Sequence, residues 1–319
     1  MKLIVQIPAY NEEKNLAQTI RDIPRRIPGI DSVEILVIDD GSTDETVRVA
    51  KDSGADHLVR NICNKGLALT FLVGLDASLR LGADIIVNTD GDNQYKGSDI
   101  PKLVAPIVAG RAELVIGNRQ TDRIPHFSFA KKKLQKLGSW MVRVLSDTDV
   151  PDAVSGFRAF SRNAALQMNI VSAYSYTIET IIQAGKKRLA VESVAIDTNP
   201  KTRESHLFKS IPTFVISQFN TLVRMYTMYQ PLRVFYILSS VFLLGGLLPS
   251  FRYLHFYLNN QGEGHIQSLI LAAVFYIVGF QLLVLGILGD VISFNRRLIE
   301  KTLLRVKRIE LDLLKDRKN

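Results

Sequence analysis

The chain has 319 residues, which is enough for one large domain with an appendage or for two domains. Its 40 basic residues outnumber its 31 acidic ones, and the net charge of +9 suits nucleic acid, an anionic membrane surface or phosphorylated substrates without choosing among them. A single cysteine, Cys63, excludes an intrachain disulfide framework, and we expect it to be an ordinary buried thiol.

Short apolar runs and helical patterns alternate along the first part of the chain. The predicted strands span residues 3–7, 33–38, 56–60, 85–87 and 113–117, with helices predicted between them. The first apolar run is too short, and too soon followed by Pro8, to be a signal peptide, so we expect this part to stay in the cytosol. The alternation predicts an α/β fold with a mostly parallel sheet covered on both faces.

Polar residues cluster where these predicted strands end. Asp39, Asn64 and Asp90 each follow the C-terminal end of a predicted strand. In a doubly wound sheet, a nucleotide binds at this edge, at the point where the strand order reverses. We therefore expect these residues to surround one ligand site.

Two carboxylates one residue apart, Asp90 and Asp92, follow the central predicted strand. Residues i and i+2 of an extended segment point to the same side, and Gly91 lets the backbone turn sharply between them. Oxygen ligands suit Mg²⁺ or Mn²⁺, and a hard cation with open positions can bridge a diphosphate. The pattern indicates a nucleotide diphosphate site, while the short motif alone is equally compatible with a simple polar turn.

Four motifs occur in order along this part of the chain. They are Ile-Pro-Ala-Tyr-Asn-Glu-Glu from Ile7, Asp-Asp-Gly-Ser-Thr-Asp from Asp39, Asn-Lys-Gly from Asn64 and Asp-Gly-Asp-Asn-Gln from Asp90. Together they resemble the family 2 glycosyltransferases with the GT-A fold, over residues 1–230. Within that family, the Ser-Gly-Phe-Arg-Ala-Phe run from Ser155 and the later apolar segments resemble polyprenyl-phosphate (dolichyl-phosphate type) hexosyltransferases. The resemblance implies a Rossmann-like GT-A catalytic domain at residues 1–206.

The resemblance also implies roles for individual residues. Those that would hold the nucleoside are Pro8, Tyr10, Glu12 and Asp39, with Lys65 near the base or the phosphates. Asp39 would accept a hydrogen bond from a base N–H. The metal ligands would be Asp90, Asp92 and Gln94, and Arg119 would reach phosphate. The alternatives are that Tyr10 packs in the core and that Asp39 is a helix-start carboxylate.

The resemblance places further cations and one carboxylate around the reacting groups. A phosphate-binding cation is expected near Lys132, where the family's usual residue is Arg, and Arg203 would close over the donor diphosphate. Asp152, in a segment that resembles the family's acceptor side, is a candidate general base. A base is not required, because a phosphate monoester has a second pKa near ~6 and is already largely a dianion at pH 7.

The C-terminal part predicts association with a membrane. Residues 207–230 have the apolar spacing of amphipathic interface helices, with packing on the catalytic domain as the alternative. The uncharged runs 234–251 and 266–289 can each cross a hydrocarbon core of ~30 Å, which predicts a transmembrane hairpin at 231–292. Basic residues flank its outer ends, so the catalytic domain and the C-terminus are expected in the cytosol. The tail, 293–319, predicts either self-association into a homo-oligomer or a solvated helix.

The sequence therefore predicts a multi-pass enzyme of the cell membrane. The expected activity is metal-dependent, inverting transfer of a hexose from a UDP- or GDP-sugar to a polyprenyl phosphate. The alternatives are a glycosyltransferase acting on another lipid or a polysaccharide, and a non-catalytic GT-A-like scaffold. Nucleic acid is not an expected partner, because the basic residues lie around the expected phosphate site and beside the apolar segments.

Overall fold

A computed structural model describes residues 1–120, 141–143, 145–171, 176–200, 220, 223–259 and 262–316 of the chain. The chain divides into two compact units: Met1–Leu222 together with Leu304–Asn319, and Val223–Leu303. The first unit contains the sheet, and the second contains most of the two long apolar helices.

Seven strands of the first unit form one sheet in the order β3-β2-β1-β4-β6-β5-β7. The strands are β1 (Lys2–Ala9), β2 (Ser32–Asp39), β3 (His57–Arg60), β4 (Ile85–Asn88), β5 (Leu114–Asn118), β6 (Arg158–Ser161) and β7 (Val191–Ala195). Only β6 runs antiparallel to its neighbours, β4 and β5. The predicted α/β fold with a mostly parallel sheet is confirmed, and all five predicted strands are present.

Helices cover both faces of this sheet. They are α1 (Leu16–Arg21), α2 (Thr46–Asp52), α3 (Leu67–Arg80), α4 (Ile100–Val108), α5 (Arg162–Gln167) and α6 (Tyr176–Lys186). Successive strand residues point to opposite faces, so Val5 packs with the core residues of α1 and α4 while Gln6 faces α3. A Cβ on Gly74 of α3 would lie only 2.6 Å from Gln6 Oε1, so the absent side chain lets α3 approach β1 closely.

Strands β6 and β7 were not predicted from the sequence, and β6 matters for the site. Its first residue, Arg158, pairs with Asn88 of β4 and with Ile116 of β5. Both partners lie near the C-terminal ends of their strands. Because β6 is antiparallel, the segment that precedes it arrives at the edge where the parallel strands end, and this segment contains Asp152 and Gly156.

In the second unit, α7 (Pro231–Leu258) and the first part of α8 (Ile266–Asp316) pack closely together. The Ser239 hydroxyl donates to the Gly279 carbonyl at 2.7 Å, and a Cβ on Gly286 would lie 2.9 Å from Phe235 Cβ. By length and composition, α7 and α8 can each cross a membrane. The predicted spans 234–251 and 266–289 lie within them. The predicted amphipathic segment 207–230 lies mostly outside the described residues.

The end of α8, from Leu304, belongs to the first unit. Arg80 Nη2 lies 2.7 Å from Glu310 Oε1, and Arg308 Nη2 donates to Asn163 Oδ1 at 3.1 Å. Leu311 is buried. The described part of the tail from Leu304 therefore contacts α3 and α5 of its own chain, while Val306, Ile309 and Leu313 stay exposed. Self-association and a solvated helix both remain predictions for the tail.

Candidate active site

The expected site residues lie where the direction of the chain crossovers changes. Strand β1 has β2 on one side and β4 on the other, so the C-terminal ends of β1 and β4 flank the switch point of the sheet. Tyr10 and Glu12 follow β1, and Asp90 and Asp92 follow β4. The topology therefore brings these two predicted groups to one crevice.

The carboxylates of this crevice interact strongly. Burial raises the pKa of Asp90 to about 7, and the charges of Asp92 and Glu12 act in the same direction against the opposing charge of Arg119. Glu12 is buried beside Gly91, where a Cβ would lie 3.3 Å from Glu12 Cγ. The arrangement has excess negative charge, which a divalent cation would relieve. The residues therefore fit such an ion, although within the described ranges no three or more His, Cys, Asp or Glu side chains cluster as a metal site.

The turn after Asp92 is hydrogen-bonded to the segment after β7. Gln94 N donates to Asp92 Oδ1 at 3.1 Å, while Gln94 O accepts from Asn199 N at 2.9 Å. Asn199 Nδ2 donates to the carbonyl of Asn93, which has a φ of 57°, a left-handed conformation that Asn tolerates. Tyr95 and Thr198 form an isolated antiparallel bridge. The chain that leads towards Arg203 therefore begins beside the predicted metal ligands, and Arg203 itself lies outside the described residues.

Arg119 and Asp152 form one bidentate ion pair. The sequence predicted separate roles for them, phosphate binding for Arg119 and a general base for Asp152. Arg119 Nε lies 2.8 Å from Asp152 Oδ2, and Arg119 Nη2 lies 2.9 Å from Asp152 Oδ1. Both side chains are nearly inaccessible, with 11% and 2% exposed. Burial alone would raise the pKa of Asp152, but the Arg119 guanidinium outweighs burial and lowers it. Asp152 is therefore a stable carboxylate and a weak base.

The residues expected to hold the nucleoside lie at the ends of β1 and β2. Asp39 is fully buried, accepts from Ser42 N at 3.1 Å and lies 3.1 Å from Arg60 Nε. Tyr10 is 43% exposed, which contradicts the core-packing alternative. Because α2 begins only at Thr46, Asp39 is not a helix-start carboxylate either. The nucleoside-binding roles remain predictions.

Asp40, for which the sequence predicted no role, organises the loop around Lys65. Asp40 Oδ1 accepts from Asn61 Nδ2 at 2.8 Å and from Lys65 N at 2.9 Å, and Oδ2 accepts from Gly66 N at 2.9 Å. The only indication of this role in the sequence is that Asp40 is a second acidic residue directly after Asp39. The next residue, Gly41, has a φ of 74°, and a Cβ there would lie 2.7 Å from the carbonyl carbon of Cys63. Cys63 is exposed, so the expectation of a buried thiol was wrong.

Asp40→Asn is expected to destabilise the protein by about 2 kcal/mol, because an amide has one acceptor oxygen where the carboxylate has two, so at least one of the three charge-assisted hydrogen bonds is lost. In thermal unfolding, this loss corresponds to a Tm lower by about 4–8 °C. Asp52→Asn, at an exposed position of α2, is the matched control and should leave Tm nearly unchanged. Equal Tm values for the two variants would contradict the assigned role of Asp40.

Arg158 is a second residue of the site for which the sequence predicted no role. It is fully buried, and its guanidinium donates to the carbonyls of Ser155 at 2.7 Å, Thr177 at 2.6 Å and Ala153 at 2.9 Å. Burial lowers its pKa to about 10, so it stays charged at neutral pH. It therefore fixes the shape of the segment between Asp152 and β6. Fully buried Arg is rare, and no sequence pattern identified it.

The sheet order, its switch point and the acidic turn after β4 define the domain as GT-A, the α/β fold of nucleotide-sugar-dependent transferases. The sequence model of the family described as Glycosyl transferase family 2 matches residues 4–167, and the chain belongs to this family. The remaining predicted site residue, Lys132, lies within the matched range but outside the described residues.

Two relatives with a stated activity align with this chain over most of their own length. The chain is 30% identical over 213 residues to the UDP-N-acetylglucosamine–dolichyl-phosphate N-acetylglucosaminyltransferase of Methanococcus voltae, covering 60% of this chain and 83% of the relative. It is 27% identical over 206 residues to the polyprenol monophosphomannose synthase of Mycolicibacterium smegmatis, covering 61% and 76%.

Solved structures show the same fold. Glucosyl-3-phosphoglycerate synthase from Mycobacterium tuberculosis, in complex with Mn²⁺, UDP-glucose and phosphoglyceric acid, superposes with a TM-score of 0.55 at 22% identity. The superposition covers 71% of this chain and 78% of that one. At this identity, the likeness establishes the fold alone.

Proposed function

We propose that the chain is a membrane-bound, inverting glycosyltransferase that moves a hexose from a UDP- or GDP-sugar to a polyprenyl phosphate. The observation that carries the proposal is the pair Asp90 and Asp92 at the switch point of a GT-A sheet, in a chain with two helices able to cross a membrane. The names of the two relatives, which describe transfer to dolichyl phosphate and synthesis of polyprenol monophosphomannose, support the acceptor.

Asp90, Asp92 and Gln94 would hold Mg²⁺ or Mn²⁺ in this enzyme. Burial raises the pKa of Asp90, and the charges of Asp92 and Glu12 raise it further. This concentration of negative charge supports the role, as does the presence of Mn²⁺ with UDP-glucose in a protein of the same fold. When bound, the ion would supply positive charge to the departing diphosphate.

The chain's own residues would bind and orient the donor. Asp39 would accept from a base N–H, with Pro8, Tyr10, Glu12 and Lys65 around the nucleoside. Arg119, Lys132 and Arg203 would compensate phosphate charge as the bond to the sugar breaks. Arg203 follows Asn199 by four residues along the chain.

The acceptor would attack without an enzyme base. A phosphate monoester is largely dianionic at pH 7 and is itself the nucleophile. Asp152, the residue considered as a base, is engaged by Arg119 and has a lowered pKa. Direct attack on the anomeric carbon from the face opposite the diphosphate would invert its configuration.

The proposal is tested by incubating purified full-length protein with Mg²⁺ or Mn²⁺ and a panel of UDP- and GDP-sugars, with polyprenyl phosphate as acceptor. We expect one nucleotide sugar to give a polyprenyl-phosphate sugar of inverted anomeric configuration. Transfer only to a different lipid or to a polysaccharide would show that polyprenyl phosphate is not the acceptor. Absence of both transfer and nucleotide-sugar hydrolysis would favour a non-catalytic scaffold.

The proposed topology places the catalytic unit and the C-terminus in the cytosol, with the short turn between α7 and α8 outside. In a Cys63→Ser background, Gly264→Cys should react with a membrane-impermeant maleimide on intact cells. Lys315→Cys should react only after permeabilisation, because basic residues flank the cytosolic ends of the hairpin. The reverse labelling pattern would place the catalytic unit away from cytosolic nucleotide sugars.

A further inference from the structure

The peptide groups of Gly156 connect the segment containing Asp152 to the loop containing Asp90. Gly156 N donates to the Tyr95 hydroxyl at 3.0 Å. Gly156 O accepts from Asn88 Nδ2 at 3.0 Å and from the Tyr176 hydroxyl at 3.3 Å. Tyr95, Asn88 and Tyr176 are all buried. Side chains from β4, from the loop after it and from α6 therefore hold both backbone polar groups of Gly156.

Aromatic stacking fixes both tyrosine rings. Tyr95 stacks on Phe157 with centroids 5.0 Å apart, and Tyr176 stacks on Phe71 at 3.9 Å with the planes 2° from parallel. Burial raises the pKa of Tyr95 to about 12 and that of Tyr176 well above its ordinary value, so both stay neutral. The two hydroxyls are therefore permanent and well-oriented hydrogen-bonding groups.

Asp90 lies directly against Gly156. A Cβ built on Gly156 would be 3.1 Å from each carboxylate oxygen of Asp90 and 3.0 Å from the Tyr176 hydroxyl. These separations are tighter than ordinary van der Waals contact. Any displacement of Gly156 therefore changes the space available to the Asp90 carboxylate.

The same displacement would reach the acceptor side of the site. Asp152 precedes Gly156 by four residues, and Arg158 binds the carbonyls of Ala153 and Ser155 in between. These hydrogen bonds connect the residues between Asp152 and Gly156, so a shift of Gly156 is expected to be transmitted to Asp152. Asp152 in turn orients Arg119 through two hydrogen bonds.

We propose that Tyr95 and Tyr176 are positioning residues for the transfer reaction. Their hydroxyls hold Gly156 against Asp90 and thereby set the separation between the proposed metal-binding carboxylates and the Arg119–Asp152 pair. The inference rests on the proposed function, because this separation matters where a donor diphosphate and an acceptor phosphate must be brought together. Reactions between two bound groups are sensitive to displacements of about 1 Å, which can cost about a hundredfold in rate.

Tyr95→Phe and Tyr176→Phe each remove one hydroxyl and leave the stacking intact. We expect kcat per folded enzyme to fall about tenfold to a hundredfold in each, with the KM for the nucleotide sugar changed less than about threefold. Tyr276→Phe is the matched control, because it removes a hydroxyl that contacts Ser250 at 2.9 Å in the second unit. It should keep the parent kcat.

Gly156→Ala tests the same contact without changing a tyrosine. Its added methyl group should push on Asp90 and weaken Mn²⁺ binding at least about tenfold, measured by EPR titration with UDP or GDP present. Thermal unfolding of every variant supplies the folded fraction to which kcat and bound Mn²⁺ are referred.

Parent-like Mn²⁺ affinity in Gly156→Ala, or parent-like kcat in both Tyr→Phe variants, would overturn the positioning role even where Tm falls. If the parent transfers no hexose to polyprenyl phosphate, the proposed acceptor fails. The Mn²⁺ titration would then still decide the role of the Gly156 contact, and a parent that binds no Mn²⁺ would overturn it.

Discussion

Asp92→Asn is expected to keep the fold and to lose transfer activity by about a hundredfold or more with either Mg²⁺ or Mn²⁺. The substitution is nearly isosteric, and an Asn Oδ1 can still accept from Gln94 N, as Asp92 does at 3.1 Å. What changes is the charge, because one of two carboxylates that face the proposed cation becomes neutral. The loss should therefore appear in metal binding and in turnover, while Tm stays close to that of the parent.

The measurement is transfer rate against metal concentration, for the parent and for Asp92→Asn. Asp76→Asn, which changes an exposed carboxylate on α3, is the control and should match the parent. Chelation with EDTA should abolish transfer by the parent enzyme, and added Mn²⁺ should restore it. Full activity in EDTA, or an unchanged metal dependence in Asp92→Asn, would remove the metal from the proposed mechanism.

The parts of this site that the sequence predicted are those set by local pattern. The run Ile85-Ile86-Val87 indicates a buried strand, and Asp90 and Asp92 follow that strand's end. Since parallel strands end at one edge of a sheet, the sequence predicts Asp39 and Asp90 at the same edge. Local propensity and the rule on parallel strands are sufficient to predict the part of the site that contains Asp39, Asp90 and Asp92.

The missed parts depend on contacts between distant segments. Nothing in the sequence around Arg158 indicates that β6 runs antiparallel, yet this direction delivers Asp152 to the edge where Asp90 lies. The ion pair of Arg119 and Asp152 joins residues 33 positions apart, so no periodic pattern reveals it. Asp40 was missed because its three donors come from a different loop.

Arg119→Ala is expected to lower the transfer rate about tenfold to a hundredfold, and Asp152→Asn less. Removing Arg119 deletes a cation expected to face phosphate and also leaves Asp152 buried without its guanidinium partner, where a charged hydrogen bond contributes about 1.5–3 kcal/mol. Asp152→Asn keeps one oxygen that can accept from Arg119. A double-mutant cycle should show strong coupling between the two changes, because they remove the same ion pair.

The pH dependence separates the role of Asp152 in positioning Arg119 from a role as a base. Arg119 lowers the pKa of Asp152 below its ordinary value of about 3.9, so Asp152 is ionised at every pH above that value and cannot cause a change in rate near pH 6. For the same reason, the ion pair's contribution to stability is fully present above about pH 3.9 and is lost only as the pH falls through the lowered pKa. At saturating Mn²⁺, where the metal would keep Asp90 ionised, we therefore expect an acidic limb near ~6, from the acceptor phosphate, in both the parent and Asp152→Asn.

Replacing the acceptor by a polyprenyl phosphonate with a higher second pKa should move this limb upward by the same amount in both enzymes, measured at saturating Mn²⁺. A limb that stays in place with the phosphonate would belong to the enzyme and not to the acceptor. If Asp152→Asn loses the limb and nearly all activity while still binding both substrates, Asp152 is a general base. An enzyme base would then be essential, which contradicts direct attack by a phosphate dianion.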